Sequence, residues 1–203
     1  MCVIDIAKKI ALKKNKSLSF LKMCYRFDKH VEGGENTFID LHRVAHKLRD
    51  ESPDLFHTLT KIPSCAHTVA YNREFPAHVC IQRPLIALNH KDEIVSVYWH
   101  PMLVGPLQVS EEFIEPFYKA YKKLYTMVHC SHSLFKHKLQ PGDMITFNNR
   151  RVLHGRAAFT DNGKRLLQGC YINISEFQSK VQIFHNKYGG GRLATRCGSN
   201  DWL

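Results

Sequence analysis

The sequence predicts a mostly β domain with flanking helices, of the double-stranded β-helix (jelly-roll, cupin-like) class. Three observations carry this. Residues 66–99 hold four short alternating runs rich in β-branched and aromatic side chains. Residues 143–173 hold a second set of such runs, divided by Asn-, Arg- and Gly-bearing turns. One long amphipathic helix, over 111–129, lies between the two sets. Strands in series with helices kept to one side suit a packed β architecture, because each sheet must cover one face.

Residues 1–18 form a basic lead, with Lys8, Lys9, Lys13, Lys14 and Lys16 on one short helix. A strand is expected over 19–27, before the turn at Gly33-Gly34. Asn36 or Thr37 is placed to cap a helix running to about Arg49, with Phe38, Leu41, Val44 and Leu48 at helical spacing. Ser52-Pro-Asp starts another helix, Leu55 to Thr60, closed by Pro63. Hairpin strands follow at 67–71, 77–81, 85–88 and 94–99, with Asn89-His-Lys-Asp92 as one connecting turn. Ser110 opens the long helix. Glu111 and Glu112 suit its N-terminal dipole, and Phe113, Phe117, Tyr121, Leu124 and Tyr125 line one face. Strands are then read at 143–148, 151–154, 156–159 and 165–173, and Ser175 caps a last helix to about Tyr188. Residues 19–188 are read as one domain without internal repeat, and 189–203, opening on Gly189-Gly-Gly, as a mobile tail.

The 203 residues are enough for one sizeable core, and 44% hydrophobic content is ordinary for a globular chain. No apolar run is long enough for a membrane span. The formal net charge is +11, from 29 Lys and Arg against 18 Asp and Glu. Such a balance admits nucleic acid, an anionic surface or small anionic ligands. No nucleic-acid-binding motif accompanies it, so nucleic acid is not expected as the partner. The seven cysteines are odd in number and form no Cys-x-x-Cys word. They are read as reduced, mostly buried thiols of a cytoplasmic protein. The basic N-terminal segment leaves a mitochondrial address as the alternative.

Chemistry concentrates in three words: Leu139-Gln-Pro-Gly-Asp-Met-Ile-Thr-Phe-Asn-Asn149, Arg151-Val-Leu-His-Gly-Arg156 and Arg165-Leu-Leu-Gln-Gly-Cys-Tyr171. His154 sits on one strand and Arg165 opens the next. An imidazole can hold a metal, and a guanidinium fork can hold the far carboxylate of a ligand chelating that metal. The alternatives are a core histidine satisfied by a backbone carbonyl, an exposed strand arginine and, for Tyr171, an ordinary core tyrosine.

These words, with Glu32-Gly-Gly-Glu-Asn-Thr-Phe-Ile-Asp-Leu41 and Glu115-Pro-Phe-Tyr-Lys-Ala-Tyr121, resemble the gamma-butyrobetaine dioxygenase and trimethyllysine dioxygenase family of taurine-dioxygenase-like oxygenases. The likeness runs from about Phe20 to about Tyr188 in the family's order. It implies an Fe(II) and 2-oxoglutarate-dependent dioxygenase that uses O2 to hydroxylate a small trimethylammonium amino acid in carnitine biosynthesis. Ascorbate is an accessory that the resemblance admits, and a homodimer a state that it allows. His154 would be the distal iron ligand, Arg165 the clamp on 2-oxoglutarate, and Tyr171 one wall of an aromatic cage for the trimethylammonium group.

The family's other two iron ligands form a His-x-Asp or His-x-Glu pair expected near residues 7–11. Here that stretch reads Ala7-Lys-Lys-Ile-Ala11. The local pairs His30-Val-Glu32 and His90-Lys-Asp92 stand elsewhere, the first in the glycine turn and the second in a hairpin turn. Near Val97-Tyr-Trp-His-Pro101 the butyrobetaine enzyme carries amide side chains, one of which serves its substrate's carboxylate. Here Trp99, His100 and Pro101 stand instead. Two readings therefore stay open: an oxygenase given in truncated form, and a catalytically inactive oxygenase-like interaction or regulatory protein lacking the His-x-Asp ligands.

Overall fold

Asp40 is the point at which the chain leaves one compact unit for another. In the computed structural model, Met1–Ile39 with Leu134–Leu203 form the first unit, and Asp40–Ser133 form the second. The structure describes residues 21–28, 33–72, 74, 76–130, 134–140, 142–160 and 165–189, with backbone alone over 21–28 and 165–168. The basic lead at 1–18 and all but the first residue of the tail lie outside the described residues.

Among the described residues the first unit holds two three-stranded sheets. In one, β1 (Leu21–Asp28) lies between β10 (Arg165–Ile172) and β8 (Met144–Asn148), antiparallel to both. The β1–β10 register is unbroken from Leu21 opposite Ile172 to Asp28 opposite Arg165. In the other, β2 (Asn36–Asp40) lies between β7 (Phe135–His137) and β9 (Val152–Arg156). Aromatic rings join the sheets. Phe147 of β8 meets Phe38 of β2 edge-on, with ring centroids 5.5 Å apart. Ile39, Leu139, Ile172 and Ile174 are buried in this unit.

Glycine makes the approach to β2 possible. Gly33 has φ +76°, and a Cβ there would stand 2.5 Å from the Ala158 carbonyl oxygen. An L side chain is thus disfavoured by both conformation and space. The Gly34 N–H donates to that same carbonyl at 2.9 Å, and the Ala157 N–H donates to the Glu35 carbonyl at 2.9 Å. The glycine turn is in this way stitched to the chain just after β9.

Among the described residues the second unit is built on three α-helices and two hairpins. Helix α1 (Leu41–Glu51) buries Leu41, Val44, Ala45 and Leu48, an i, i+3, i+4, i+7 stripe. Helix α2 (Pro53–Lys61) buries Phe56 and Leu59, and helix α3 (Ile114–His129) buries Phe117, Ala120, Leu124 and Val128. The three helices pack on one another, α1 also on β6 (Ile94–Val97) and α2 on β5 (Ile86–Leu88). The second hairpin pairs β3 (Pro63–Ala70) with β4 (Ala77–Pro84). Trp99 is 8% exposed and stacks on Tyr121 of α3, centroids 4.8 Å apart. The helix α4 (Ile174–Tyr188) closes the first unit's described chain.

Several expectations are corrected. The helix expected from Asn36 or Thr37 begins at Leu41 instead, because 36–40 pairs as a strand and Asp40 is the cap. The Asp40 carboxylate accepts from the His42 and Arg43 N–H groups at 3.0 and 3.3 Å. The strands expected at 151–154 and 156–159 are a single strand through His154, with Phe159 reduced to an isolated bridge to Gly33. The strand β7 was not expected. The long helix starts with a 3-10 turn over Glu111–Phe113. The last helix is capped by Asn173, whose Oδ1 accepts from the Ser175 N–H and hydroxyl at 3.0 and 2.8 Å. Of the four cysteines whose side chains are described, Cys65 is buried, Cys80 and Cys130 are exposed and Cys170 is intermediate, against the expectation of mostly buried thiols.

Candidate functional site

His154 lies in the middle of β9, half-buried. Its imidazole packs against the Phe147 ring at 5.0 Å between centroids, tilted by 49°. Phe147 is held in turn by Phe38. The imidazole therefore sits where β8 and β2, one strand from each sheet, bring their aromatic side chains together. The next residue, Gly155, lets β9 approach β2 closely: a Cβ there would stand 2.9 Å from Thr37 Oγ1. Asn148 shapes the turn from β8 into β9, its side chain accepting from the Arg150 N–H at 2.9 Å and its carbonyl from the Arg151 N–H at 3.1 Å. Arg156, at the end of β9, lies over the Phe159 ring at 4.3 Å.

Arg165 is the first residue of β10, with Asp28 opposite it in the register. Its side chain lies outside the described residues. Tyr171 stands six residues further along the same strand, opposite Lys22. An even separation in an unbroken strand assigns positions 165 and 171 to one face. Tyr171 is 50% exposed, so it is a surface tyrosine and not a core one. His154 belongs to the β7-β2-β9 sheet, and positions 165 and 171 to the β10-β1-β8 sheet.

The described residues contain no group of three His, Cys, Asp or Glu side chains able to hold a metal. The described residues do not fit a complete iron centre. Of the two His-x-acid pairs, His30 and Glu32 lie outside the described residues. His90 and Asp92 form an exposed hairpin turn in the second unit. There Asn89 Oδ1 accepts from the Lys91 and Glu93 N–H groups, and Asp92 takes φ 59°. A cavity of about 640 Å³ in the second unit is lined by Arg49, His57 and Lys61 around Ile86 and Leu88. Arg49 is already committed there, donating to the Asp92 carbonyl at 2.7 Å and lying over Phe56.

Sequence reasoning missed Phe147 and Phe38 as neighbours of the imidazole. The alternation of Ile145 and Phe147 along the strand was a usable signal; the meeting of two sheets at Phe38 was not readable from spacing. Trp99 is core, His100 is exposed and Pro101 opens a 3-10 turn. Among the described residues no helix is long and apolar enough to cross a membrane.

The taurine catabolism dioxygenase TauD, TfdA family matches residues 23–171. The chain is 30% identical over 152 residues to gamma-butyrobetaine dioxygenase from Pseudomonas sp. (strain AK-1), covering 74% of this chain and 39% of that protein. It is 30% identical over 159 residues to trimethyllysine dioxygenase from Meyerozyma guilliermondii, covering 75% of this chain and 38% of that protein. The chain thus spans about two fifths of the length of these curated relatives. Among solved structures, AAD-2 in complex with Mn(II) and N-oxalylglycine superposes with a TM-score of 0.57 at 16% identity, over 76% of this chain and 63% of that one. Asparagine oxygenase in complex with Fe(II), hydroxyasparagine and succinate superposes with a TM-score of 0.58 at 17% identity, over 81% and 49%.

Proposed function

This chain belongs to the taurine catabolism dioxygenase TauD, TfdA family, and from that premise we propose that it carries the distal part of an Fe(II) and 2-oxoglutarate-dependent oxygenase site for a trimethylammonium amino acid. The observation that supports this most is the order of the words: His154 within β9, Arg165 opening β10 and Tyr171 on the same strand. The two-sheet first unit, joined through Phe38 and Phe147, suits the jelly-roll form of the domain.

Each residue has a limited role. His154 offers a neutral imidazole nitrogen to the metal, and its packing on Phe147 restricts the ring's orientation. Arg165 offers a planar fork to the distal carboxylate of 2-oxoglutarate, a bidentate pairing that lysine does not reproduce. Tyr171 offers a π face to a cation that has no N–H to donate. Iron with 2-oxoglutarate would supply the oxidant for C–H hydroxylation when bound. His154 is one donor, and a complete centre needs further ones. Trp99, His100 and Pro101 give no amide to a substrate carboxylate, so gamma-butyrobetaine and trimethyllysine are both substrates to test.

An inert ligand pair tests this reading. Mn(II) with N-oxalylglycine should raise the melting temperature of the full chain, by linkage to the folded state. The rise should vanish in His154→Ala and shrink in both Arg165→Ala and Arg165→Lys. An equal rise in all four proteins would overturn the assignment. Further stabilisation on adding gamma-butyrobetaine or trimethyllysine, lost in Tyr171→Ala, is the expected sign of the cage.

A further inference from the structure

The β3–β4 hairpin carries two mirrored words that the oxygenase reading does not use, Cys65-Ala-His67 and His78-Val-Cys80. The register sets His67 opposite Cys80, and alternation places all four residues on one face of the hairpin. Diagonal contacts close the set. Cys65 Sγ lies 3.1 Å from Cys80 Sγ. His67 Nε2 lies 3.1 Å from His78 Nε2, and His78 Nδ1 lies 2.6 Å from the Tyr71 hydroxyl. The two thiols differ in access. Cys80 is exposed, while Cys65 is 3% exposed and lies under Gly105, where an added Cβ would stand 3.1 Å from its Sγ.

We propose that Cys65 and Cys80 form a reversible thiol–disulfide site, with Cys80 the capturing thiol, Cys65 the resolving thiol, and a low-molecular-weight disulfide such as oxidised glutathione the co-reactant. The Cys80 thiolate attacks one sulfur of oxidised glutathione. The glutathione S–S bond breaks, a Cys80–glutathione disulfide forms, and one glutathione leaves as thiolate and takes up a proton. The Cys65 sulfur, giving up its own proton, then attacks the Cys80 sulfur. The Cys65–Cys80 bond forms and the second glutathione leaves. Two protein thiols are oxidised by two electrons, and one oxidised glutathione is reduced to two thiols.

The order of attack follows from access and charge. A tripeptide disulfide reaches the exposed Cys80 and not Cys65 beneath Gly105. The contact with Cys80, then burial, push the Cys65 thiol up, so Cys65 is held protonated until its partner carries a leaving group. The sulfurs need to close by only about 1 Å to reach bonding distance. A disulfide is favoured over a metal because the sulfurs are in direct contact, while no three donors among the described residues are placed for an ion.

The test is peptide mapping of the full reduced chain after exposure to oxidised glutathione and acid quench. The wild type should release two glutathiones per chain and yield a Cys65–Cys80 link, in excess over links involving the exposed Cys130, with a higher melting temperature. Cys65→Ser should stop at the Cys80–glutathione adduct, and Cys80→Ser should leave Cys65 unmodified. Three results would each overturn the proposal: a wild type that halts at the Cys80 adduct, a link equally abundant in the guanidinium-denatured chain, or stoichiometric Zn(II) binding lost on replacing any one of Cys65, His67, His78 and Cys80.

Discussion

Gly33 and His154 show how single residues set this chain's architecture and its chemistry. Replacing Gly33 by Ala forces a Cβ into a φ of +76° and to within 2.5 Å of the Ala158 carbonyl oxygen. We expect Gly33→Ala to lower the unfolding free energy by about 1–3 kcal/mol from backbone strain alone. At Gly155 the obstacle is the Thr37 hydroxyl, the end of a side chain that can turn away. Gly155→Ala should therefore cost less, and urea denaturation of both variants checks the order. The strand positions read for His154 and Arg165 match the structure, the first within β9 and the second opening β10. Phe38, which braces the ring packed on His154, was not legible: it lies 116 positions upstream, on a strand that spacing alone reads as helix. The sulfur contact was equally hidden, since Cys65 and Cys80 meet only through the hairpin register.

At the scale of elements, periodicity located cores well and boundaries poorly. The buried stripe of α1 contains Leu41, Val44 and Leu48, as the spacing foretold. Its start was misplaced because Asn36, Thr37 and Asp40 are all competent caps, and only strand pairing decides among them. Asp40→Ala should cost about 1 kcal/mol by leaving two N–H groups without their acceptor. On α3, Phe117 is fully buried, and Phe117→Ala should cost about 3–5 kcal/mol. Next to it burial, then Tyr118 and Tyr125, push the Tyr121 phenol up. A raised folded-state value favours the neutral phenol. The resulting stabilisation is full below the unfolded tyrosine value of about 10 and is lost as pH rises through the folded value. In a tyrosinate absorbance titration Tyr121→Phe should remove a component that titrates above the ordinary tyrosine value of about 10. The strand β7, Phe135-Lys-His137, was missed because three exposed residues carry no alternation to read.

For the whole molecule, family membership was legible in the sequence words. The helical unit, Asp40–Ser133, is inserted between β2 and β7 of the sheet unit. The charge excess suits the small anionic ligand that the family words imply. The central claim is that His154 and Arg165 are the metal-binding and 2-oxoglutarate-binding residues of a family oxygenase site. An anaerobic titration with Fe(II) and 2-oxoglutarate, followed by visible absorbance, addresses it most directly. The account predicts a charge-transfer band that is absent in His154→Ala and that needs about ten- to a hundredfold more 2-oxoglutarate in Arg165→Ala, the loss of a charge-assisted hydrogen-bonded pair. No band at saturating ligand, or a band unchanged in His154→Ala, would contradict it.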